Sequence, residues 1–227
     1  MSNSLKTTEI QGKNTSQAVV LLHGFGANRQ DLVPLAEVMK LKSSPSWIFP
    51  DAPESPPDLA LFGGRAWFPL DMSQIQRRAQ DPYGALYDAG HVARLKKATD
   101  SVLSGFLWSL SERYSSIVLG GFSQGAMMAL DWAWRHYDPS VKGLLLMSGA
   151  WPYLEIPADC RIPKDLPVFV SHGSQDPVLR FPHSEKMKKA LEAQGAKVDT
   201  IVFPGGHEIP GQVLSRAQKF LDAVLES

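Results

Sequence analysis

Residues 116–125 read SIVLGGFSQG, and this stretch decides the fold. Its apolar part, IVLG, predicts a strand, and the alanine-, methionine- and leucine-rich residues 126–136 predict a helix directly afterwards. Gly121 and Gly125 flank Ser123 and permit a sharp turn that exposes the serine hydroxyl between the two elements. The alternative is a serine that only caps the helix. The strand before Ser123 and the helix after it favour the exposed turn.

Along the rest of the chain, short apolar runs alternate with segments in which apolar residues recur every three or four positions. Strands are predicted at residues 18–22, 47–49, 117–120, 143–147, 168–171 and 198–203. Apolar residues recur at helical spacing within residues 32–39, 92–110, 126–136 and 213–225. Strands that are apolar throughout are typical of a parallel sheet covered on both faces. We therefore expect an α/β protein with a mostly parallel central sheet and helices on both faces.

The composition limits the size of the fold and the class of partner. A chain of 227 residues with 44% apolar and 20% charged residues is typical of a globular protein, and we expect one domain over residues 1–227. Lysine plus arginine equals aspartate plus glutamate at 23 each, so no excess charge attracts a polyanion. We expect no nucleic-acid partner.

The N-terminal residues and the single cysteine bear on the compartment. Residues 1–17 are polar and lack the apolar core of a secretory signal, and no apolar run approaches the roughly 18–20 residues that cross a bilayer. These features predict a cytoplasmic protein without an integral membrane segment. Cys160 stands alone, which excludes an internal disulfide and a multi-thiolate metal site, and we interpret it as an ordinary free thiol.

Residues 50–90 break the alternation of strands and helices. The segment contains six prolines and a Gly63-Gly64 pair and shows no sustained period, so we expect neither a strand nor a helix there. Its aromatic and leucine side chains favour an ordered flap over a disordered linker. We predict that this loop-rich flap covers the active site.

Candidate partners for Ser123 follow two later strands. Asp176 comes after residues 168–171 in the turn HGSQDP, and His207 comes after residues 198–203 in the loop PGGH. An acid and then a histidine after the serine is the order expected for a nucleophile on a strand-to-helix turn. Both side chains would lie at the carboxyl ends of strands, where open α/β sheets place their active sites. Taken singly, Asp176 could be an ordinary turn residue, and His207 could be an ordinary loop histidine.

Other acidic residues and histidines lack this strand-end position. Asp131 and Asp138 lie on or just after the helix that follows Ser123. Asp159 and Asp165 precede the strand before Asp176, and His183 is expected to open a later helix. His172 is expected to hydrogen-bond to the Asp176 loop or simply to pack against it. We assign it no direct catalytic role.

An acyl-transfer site also needs donors for an oxyanion. The backbone N–H of Gln124, directly after the serine, is the first candidate. The second is Phe25, in the tight turn HGFGAN that follows residues 18–22. His23 in the same turn is interpreted as a structural hydrogen-bonding residue rather than a metal ligand.

Several motifs together resemble the phospholipase/carboxylesterase family, which includes bacterial carboxylesterases and acyl-protein thioesterases of the α/β-hydrolase fold. The similarity extends over roughly residues 18–225. One departure is Ala126, where many relatives have a second glycine. The motifs that carry the resemblance are His23-Gly24-Phe25-Gly26, Pro50-Asp51-Ala52-Pro53, Arg65-Ala66-Trp67-Phe68, Gly120-Gly121-Phe122-Ser123-Gln124-Gly125, His172-Gly173-Ser174-Gln175-Asp176-Pro177-Val178 and Gly205-Gly206-His207-Glu208-Ile209-Pro210.

The resemblance implies a cofactor-free hydrolase of carboxylic esters or thioesters, lysophospholipids included. It implies a triad of Ser123, Asp176 and His207, with Phe25 and Gln124 as oxyanion donors. The loop around Trp67 then borders the acyl pocket, and the residues we expect to bind substrate are Phe62, Trp67, Phe68, Trp151 and Leu179. An acyltransferase on the same triad and a non-catalytic ligand-binding relative are the alternatives, and a homodimer is compatible with the exposed apolar flap.

Overall fold

A computed structural model describes residues 5–78, 81, 86–153 and 155–226 of the chain. Within them one sheet contains seven strands: β1 Thr7–Ile10, β2 Asn14–Leu22, β3 Pro45–Pro50, β4 Ser116–Phe122, β5 Val141–Met147, β6 Pro167–Gly173 and β7 Lys197–Phe203. All six strands predicted from apolar runs are present, each with longer bounds. The strand β1 was not predicted, because its residues TTEI lack a continuous apolar run.

The strand order confirms the mostly parallel sheet. The strands lie in the order β1-β3-β2-β4-β5-β6-β7, and β1 alone runs antiparallel to its neighbour, β3. The central strands β2, β4, β5 and β6 therefore end at the same edge, and the loops that follow them meet there.

Helices lie on both faces, as the sequence predicts. They are α1 Pro34–Val38, α2 Pro57–Ala60, α3 Met72–Arg78, α4 Ala89–Ala98, α5 Ser104–Ser111, α6 Gln124–Arg135, α7 Phe181–Ala193 and α8 Gly211–Leu225, with a π-helical turn at Thr99–Leu103 between α4 and α5. Among the described residues no helix is long and apolar enough to cross a membrane.

Alternating side chains of the strands separate the core into two layers. In β2, Val20 and Leu22 pack with residues of α4, α5, α6 and α7, whereas Val19 and Leu21 pack with residues of α8 and the α1 region. Successive strand residues point to opposite faces, so one apolar run supplies both layers. The helix α6, which follows Ser123, is buried along nearly its whole length.

The predicted flap is ordered where the structure describes it, and residues 79, 80 and 82–85 of it lie outside the described residues. The prediction that it contains no helix is wrong, since α2 and α3 both lie within it. The reason for α2 is local: Pro57 occupies its first turn, where a missing N–H costs no hydrogen bond and the fixed φ suits a helix.

Candidate active site

Ser123 occupies a sharp turn between β4 and α6. Its φ of 55° and ψ of −116° are unusual for a residue other than glycine. Its backbone N–H donates to the Met147 carbonyl at 2.9 Å, and its side chain makes no capping hydrogen bond to α6. A Cβ added at Gly121 or Gly125 would lie 2.5 Å or 2.0 Å from the Leu22 carbonyl oxygen. Glycine is therefore required on both sides of the turn, and the helix-capping interpretation of Ser123 is wrong.

Asp176 lies in a turn directly after β6. The side chain is buried, and its Oδ1 accepts the backbone N–H groups of Val178 at 2.8 Å and Leu179 at 2.9 Å. The backbone N–H of Asp176 donates to the Gly173 carbonyl at 3.2 Å. These bonds hold one carboxylate oxygen within its own loop and leave the other, Oδ2, to face the neighbouring loop.

His207 lies in that neighbouring loop, between β7 and α8. Its Nδ1 is 2.7 Å from Asp176 Oδ2, and its ring centroid is 4.8 Å from that of Phe122, the residue before Ser123. The two loops are in close contact, because a Cβ added at Gly173 would lie 2.4 Å from the Gly205 carbonyl oxygen. The structure thus brings Asp176 and His207 together at the end of β4, as the strand-end argument predicts.

The charge of Asp176 is stabilised by its hydrogen-bond donors. Burial raises the pKa of this carboxyl, but the hydrogen bond and charge of His207 and the two backbone donors outweigh burial, and the pKa lies below its usual range. His172 lies beside it, with Nε2 2.6 Å from the Leu179 carbonyl and 3.4 Å from Asp176 Oδ2. Burial lowers the pKa of His172. The buried His172 ring therefore holds the Asp176 loop by a hydrogen bond, which is the structural role expected from the sequence.

Gln124 links the turn to the flap through its side chain. As the first residue of α6, it has a backbone N–H without an acceptor inside the helix. Its side-chain Oε1 accepts the Trp67 N–H at 3.0 Å, and its Nε2 donates to the Phe68 carbonyl at 2.8 Å. The amide side chain is fully buried. The sequence does not indicate this side-chain function, because the partners are more than fifty residues away along the chain.

The turn after β2 approaches Ser123 from the other side. A Cβ added at Gly24 would lie 3.4 Å from the Ser123 Cβ. Phe25 follows Gly24, and the next backbone N–H, that of Gly26, donates to the Arg65 carbonyl at 2.8 Å. The residue assigned as the second oxyanion donor therefore lies in a turn that is adjacent to the serine and anchored to the flap.

His23 has a structural set of bonds. Its Nδ1 donates to the Gly24 carbonyl at 2.8 Å, and its Nε2 accepts the Ala52 N–H at 3.0 Å. Burial lowers the pKa of His23, consistent with a neutral ring that both donates and accepts. Both ring nitrogens of His23 are therefore hydrogen-bonded to backbone groups. No group of three or more metal-binding side chains occurs within residues 5–78, 81, 86–153 and 155–226.

Two of the rival acids, Asp131 and Asp165, form ion pairs away from Ser123. Asp131 is fully buried in α6 and pairs with Arg135 at 2.7 Å. Asp165 pairs with Lys197 at 3.3 Å, and His183 lies in the first turn of α7. Burial raises the pKa of the Cys160 thiol, which disfavours a reactive thiolate and agrees with an ordinary free cysteine.

The predicted substrate-binding residues occupy different environments. Trp67 and Phe68 are buried beside the turn, and the Trp67 indole donates to the His23 carbonyl at 2.9 Å. Leu179 is buried next to Asp176. Trp151 is buried in edge-on contact with other aromatic rings, and its ring centroid is 5.0 Å from that of Trp134. Phe62 is 88% exposed at the surface of the flap, so the structure does not bring it together with the other four.

A narrow apolar crevice beside α6 was not predicted. It is lined by Phe68, Tyr87, His91, Leu95, Met127 and Pro152. The one local signal for His91 is the start of α4, where Asp88 accepts the His91 N–H at 2.9 Å as a helix cap. Nothing in the sequence indicates that His91 then faces a residue of α6.

A sharp serine turn after a central strand, with an aspartate and a histidine on later strand-end loops of a mostly parallel sheet, defines the α/β-hydrolase class. Comparison with known proteins gives the family: the family model of the phospholipase/carboxylesterases matches residues 3–225. The chain belongs to the phospholipase/carboxylesterase family and is a serine hydrolase.

Similar proteins cover the whole chain. Acyl-protein thioesterase 1 of Schizosaccharomyces pombe is 28% identical over 216 residues, 92% of this chain and 91% of that protein. The enzyme of the same name from Candida albicans is 26% identical over the full length of both chains. Among solved structures, esterase PE8 has a TM-score of 0.79 at 28% identity, covering 97% of this chain and 99% of that one. The Bacillus cereus carboxylesterase has a TM-score of 0.74 at 26% identity, covering 98% and 95%.

Proposed function

We propose that Ser123, His207 and Asp176 form a catalytic triad, and that the protein hydrolyses carboxylic esters or thioesters through an acyl-enzyme intermediate. The observation that carries the proposal is the 2.7 Å hydrogen bond between His207 Nδ1 and Asp176 Oδ2, next to the turn that holds Ser123. A serine hydroxyl is a weak nucleophile by itself, and an imidazole oriented by a carboxylate is the arrangement that activates it.

Acylation begins when Ser123 Oγ attacks the carbonyl carbon and His207 Nε2 accepts the hydroxyl proton. Asp176 accepts the Nδ1–H bond, which fixes the tautomer of the ring and stabilises the imidazolium. The depressed pKa of Asp176 keeps this carboxylate charged at neutral pH. The negative charge that develops on the carbonyl oxygen is bound by the backbone N–H groups of Phe25 and Gln124.

Acylation is completed when His207 donates its proton to the leaving alkoxide or thiolate, and the alcohol or thiol departs. In deacylation, His207 accepts a proton from water as the water attacks the acyl-enzyme. The carboxylic acid is released, and Ser123 recovers its proton from His207. No cofactor takes part in this sequence.

The substrate class is supported by the names of the relatives and by the flap. Relatives named acyl-protein thioesterase and carboxylesterase act on thioesters and esters, and either bond fits the same triad chemistry. The buried side chains of Trp67, Phe68 and Leu179 supply an apolar environment beside the turn. We therefore propose small-molecule acyl esters or thioesters as substrates, lysophospholipids included.

The proposal is tested with p-nitrophenyl esters and acyl thioesters of two to sixteen carbons. Ser123→Ala and His207→Ala are each expected to lower kcat by about 10⁴-fold or more, since the members of such a triad act as a unit. Ser174→Ala is the matched control, because Ser174 is an exposed serine in the loop of Asp176 and should leave kcat within about twofold. Equal rates for Ser123→Ala and the unmodified protein would contradict the assignment.

Product analysis separates hydrolysis from the alternatives. With a competing alcohol present, a hydrolase releases mainly the free acid, whereas an acyltransferase forms the new ester. A folded protein that turns over no ester or thioester would indicate a binding protein instead.

A further inference from the structure

Two polar side chains face the apolar crevice beside α6. Tyr87 and His91 share it with Phe68, Leu95, Met127 and Pro152. His91 is only 3% exposed, and Tyr87 is 4% exposed. Burial raises the pKa of the Tyr87 hydroxyl, so the group is neutral. A purely apolar pocket for a hydrocarbon chain would need neither of these polar groups.

The crevice is connected to the proposed nucleophile by two of its own residues. The Met127 N–H donates to the Ser123 carbonyl at 3.2 Å, which places Met127 one helical turn, about 5.4 Å along the axis, from the serine. Phe68 is bound to Gln124 through its carbonyl at 2.8 Å. Two of the residues that line the crevice are thus bonded to Ser123 or to the residue that follows it.

The hydrogen-bonding capacity of both polar groups is incompletely used. His91 Nδ1 donates to Asp88 Oδ1 at 2.9 Å, and with the proton on Nδ1 an uncharged imidazole has its acceptor lone pair at Nε2. Nε2 is buried and has no hydrogen-bond partner among the described residues. The Tyr87 hydroxyl donates to the Met127 sulfur at 3.1 Å, and a thioether is a weak acceptor. The space between the walls is too narrow for a water molecule.

We propose that Tyr87 and His91 recognise a hydroxyl group carried on the acyl chain of the substrate. A hydroxyl is a small group that can satisfy both side chains at once, since it can donate to His91 Nε2 and accept from Tyr87. Because the crevice as it stands is too narrow for a water molecule, entry of the chain requires the flexible Met127 side chain to move aside, which widens the crevice and frees the Tyr87 hydroxyl from the sulfur. The inference rests on the proposed function and adds to it a substrate class, hydroxylated acyl esters or thioesters.

The test compares matched pairs of p-nitrophenyl esters: butanoate with 3-hydroxybutanoate, hexanoate with 6-hydroxyhexanoate, and octanoate with 8-hydroxyoctanoate. For at least one pair we expect the hydroxylated ester to have the higher kcat/KM, by roughly 3–10-fold, which is the value of one or two net hydrogen bonds. Tyr87→Phe should reduce this ratio toward one.

Two substitutions of His91 separate recognition from structure. His91→Asn keeps an N–H group at the position of Nδ1 and removes Nε2, so it should abolish the preference for the hydroxylated ester. His91→Gln keeps a polar atom near the position of Nε2 and should retain part of the preference. His136→Asn is the control, since His136 is a partly exposed histidine bonded to Asp100.

A ratio near one for every pair in the unmodified protein would overturn the inference, as would a ratio that Tyr87→Phe and His91→Asn leave unchanged. Equal losses for plain and hydroxylated esters in both variants would also overturn it, because they would indicate a purely structural role. If no ester is hydrolysed, or if Ser123→Ala does not reduce hydrolysis, the proposed function fails rather than the inference about hydroxylated substrates.

Discussion

Gly149, in the loop after β5, offers a sharp test of how tightly the site is packed. A Cβ added at Gly149 would lie 2.9 Å from the Cβ of Ala126, well inside the normal contact distance of about 3.5–4.0 Å between carbon atoms. Ala126 is fully buried in α6, and its Cβ is fixed to the helix backbone, so no change of rotamer relieves the contact. We expect Gly149→Ala to lower the free energy of unfolding by about 1–3 kcal/mol.

Urea unfolding of four proteins measures the contact as a double-mutant cycle. Ala126→Gly removes the opposing methyl group and should cost about 0.5–1 kcal/mol by itself, as glycine within a helix does. The double variant should then lose less unfolding free energy than the sum of the two single losses, by about 1 kcal/mol or more. If the single losses add within about 0.3–0.5 kcal/mol, or if Gly149→Ala costs nothing, the reasoning from the short contact is refuted.

Three further predictions concern buried polar groups. Because the pKa of Asp176 is depressed, its charge stabilises the fold fully above about pH 4 and less as the pH falls. The difference in unfolding free energy between the unmodified protein and Asp176→Asn should therefore shrink from pH 7 to pH 3. A difference that stays constant with pH would contradict the depressed pKa. Because burial lowers the pKa of His23, stability should fall as the pH drops below about 6.5, and His23→Asn should flatten that slope between pH 7 and pH 5. Gln124→Ala leaves the Trp67 N–H and the Phe68 carbonyl without partners and should cost about 1–3 kcal/mol in urea unfolding; a loss below about 0.5 kcal/mol would mean that the flap is not held in this way.

The sheet was largely predictable from the sequence for a physical reason. Strands buried on both faces must be apolar at nearly every position, so the centres of β2 to β6 stand out as short runs. The strand β1 was missed because it is only four residues long, and backbone pairing with β3 defines it rather than buried side chains. The helix α2 was missed because two consecutive prolines were interpreted as breakers, whereas the second one starts the helix.

The positions of Ser123, Asp176 and His207 could also be predicted, because parallel strands bring the loops at their carboxyl ends to one edge of the sheet. Contacts that depend on packing between distant elements could not. The bonds from Gln124 to the flap, and the position of His91 opposite Met127, are set by how the flap and α4 dock on α6. No local pattern indicates them.

Covalent labelling is the most direct test of whether Ser123 is the nucleophile. A fluorophosphonate reacts with an activated serine and remains attached, so the mass of the intact protein and peptide mapping report the site. We predict a single adduct on Ser123, no adduct with Ser123→Ala, and much slower labelling with His207→Ala. A folded protein that forms no adduct, or forms one on another residue, would contradict it.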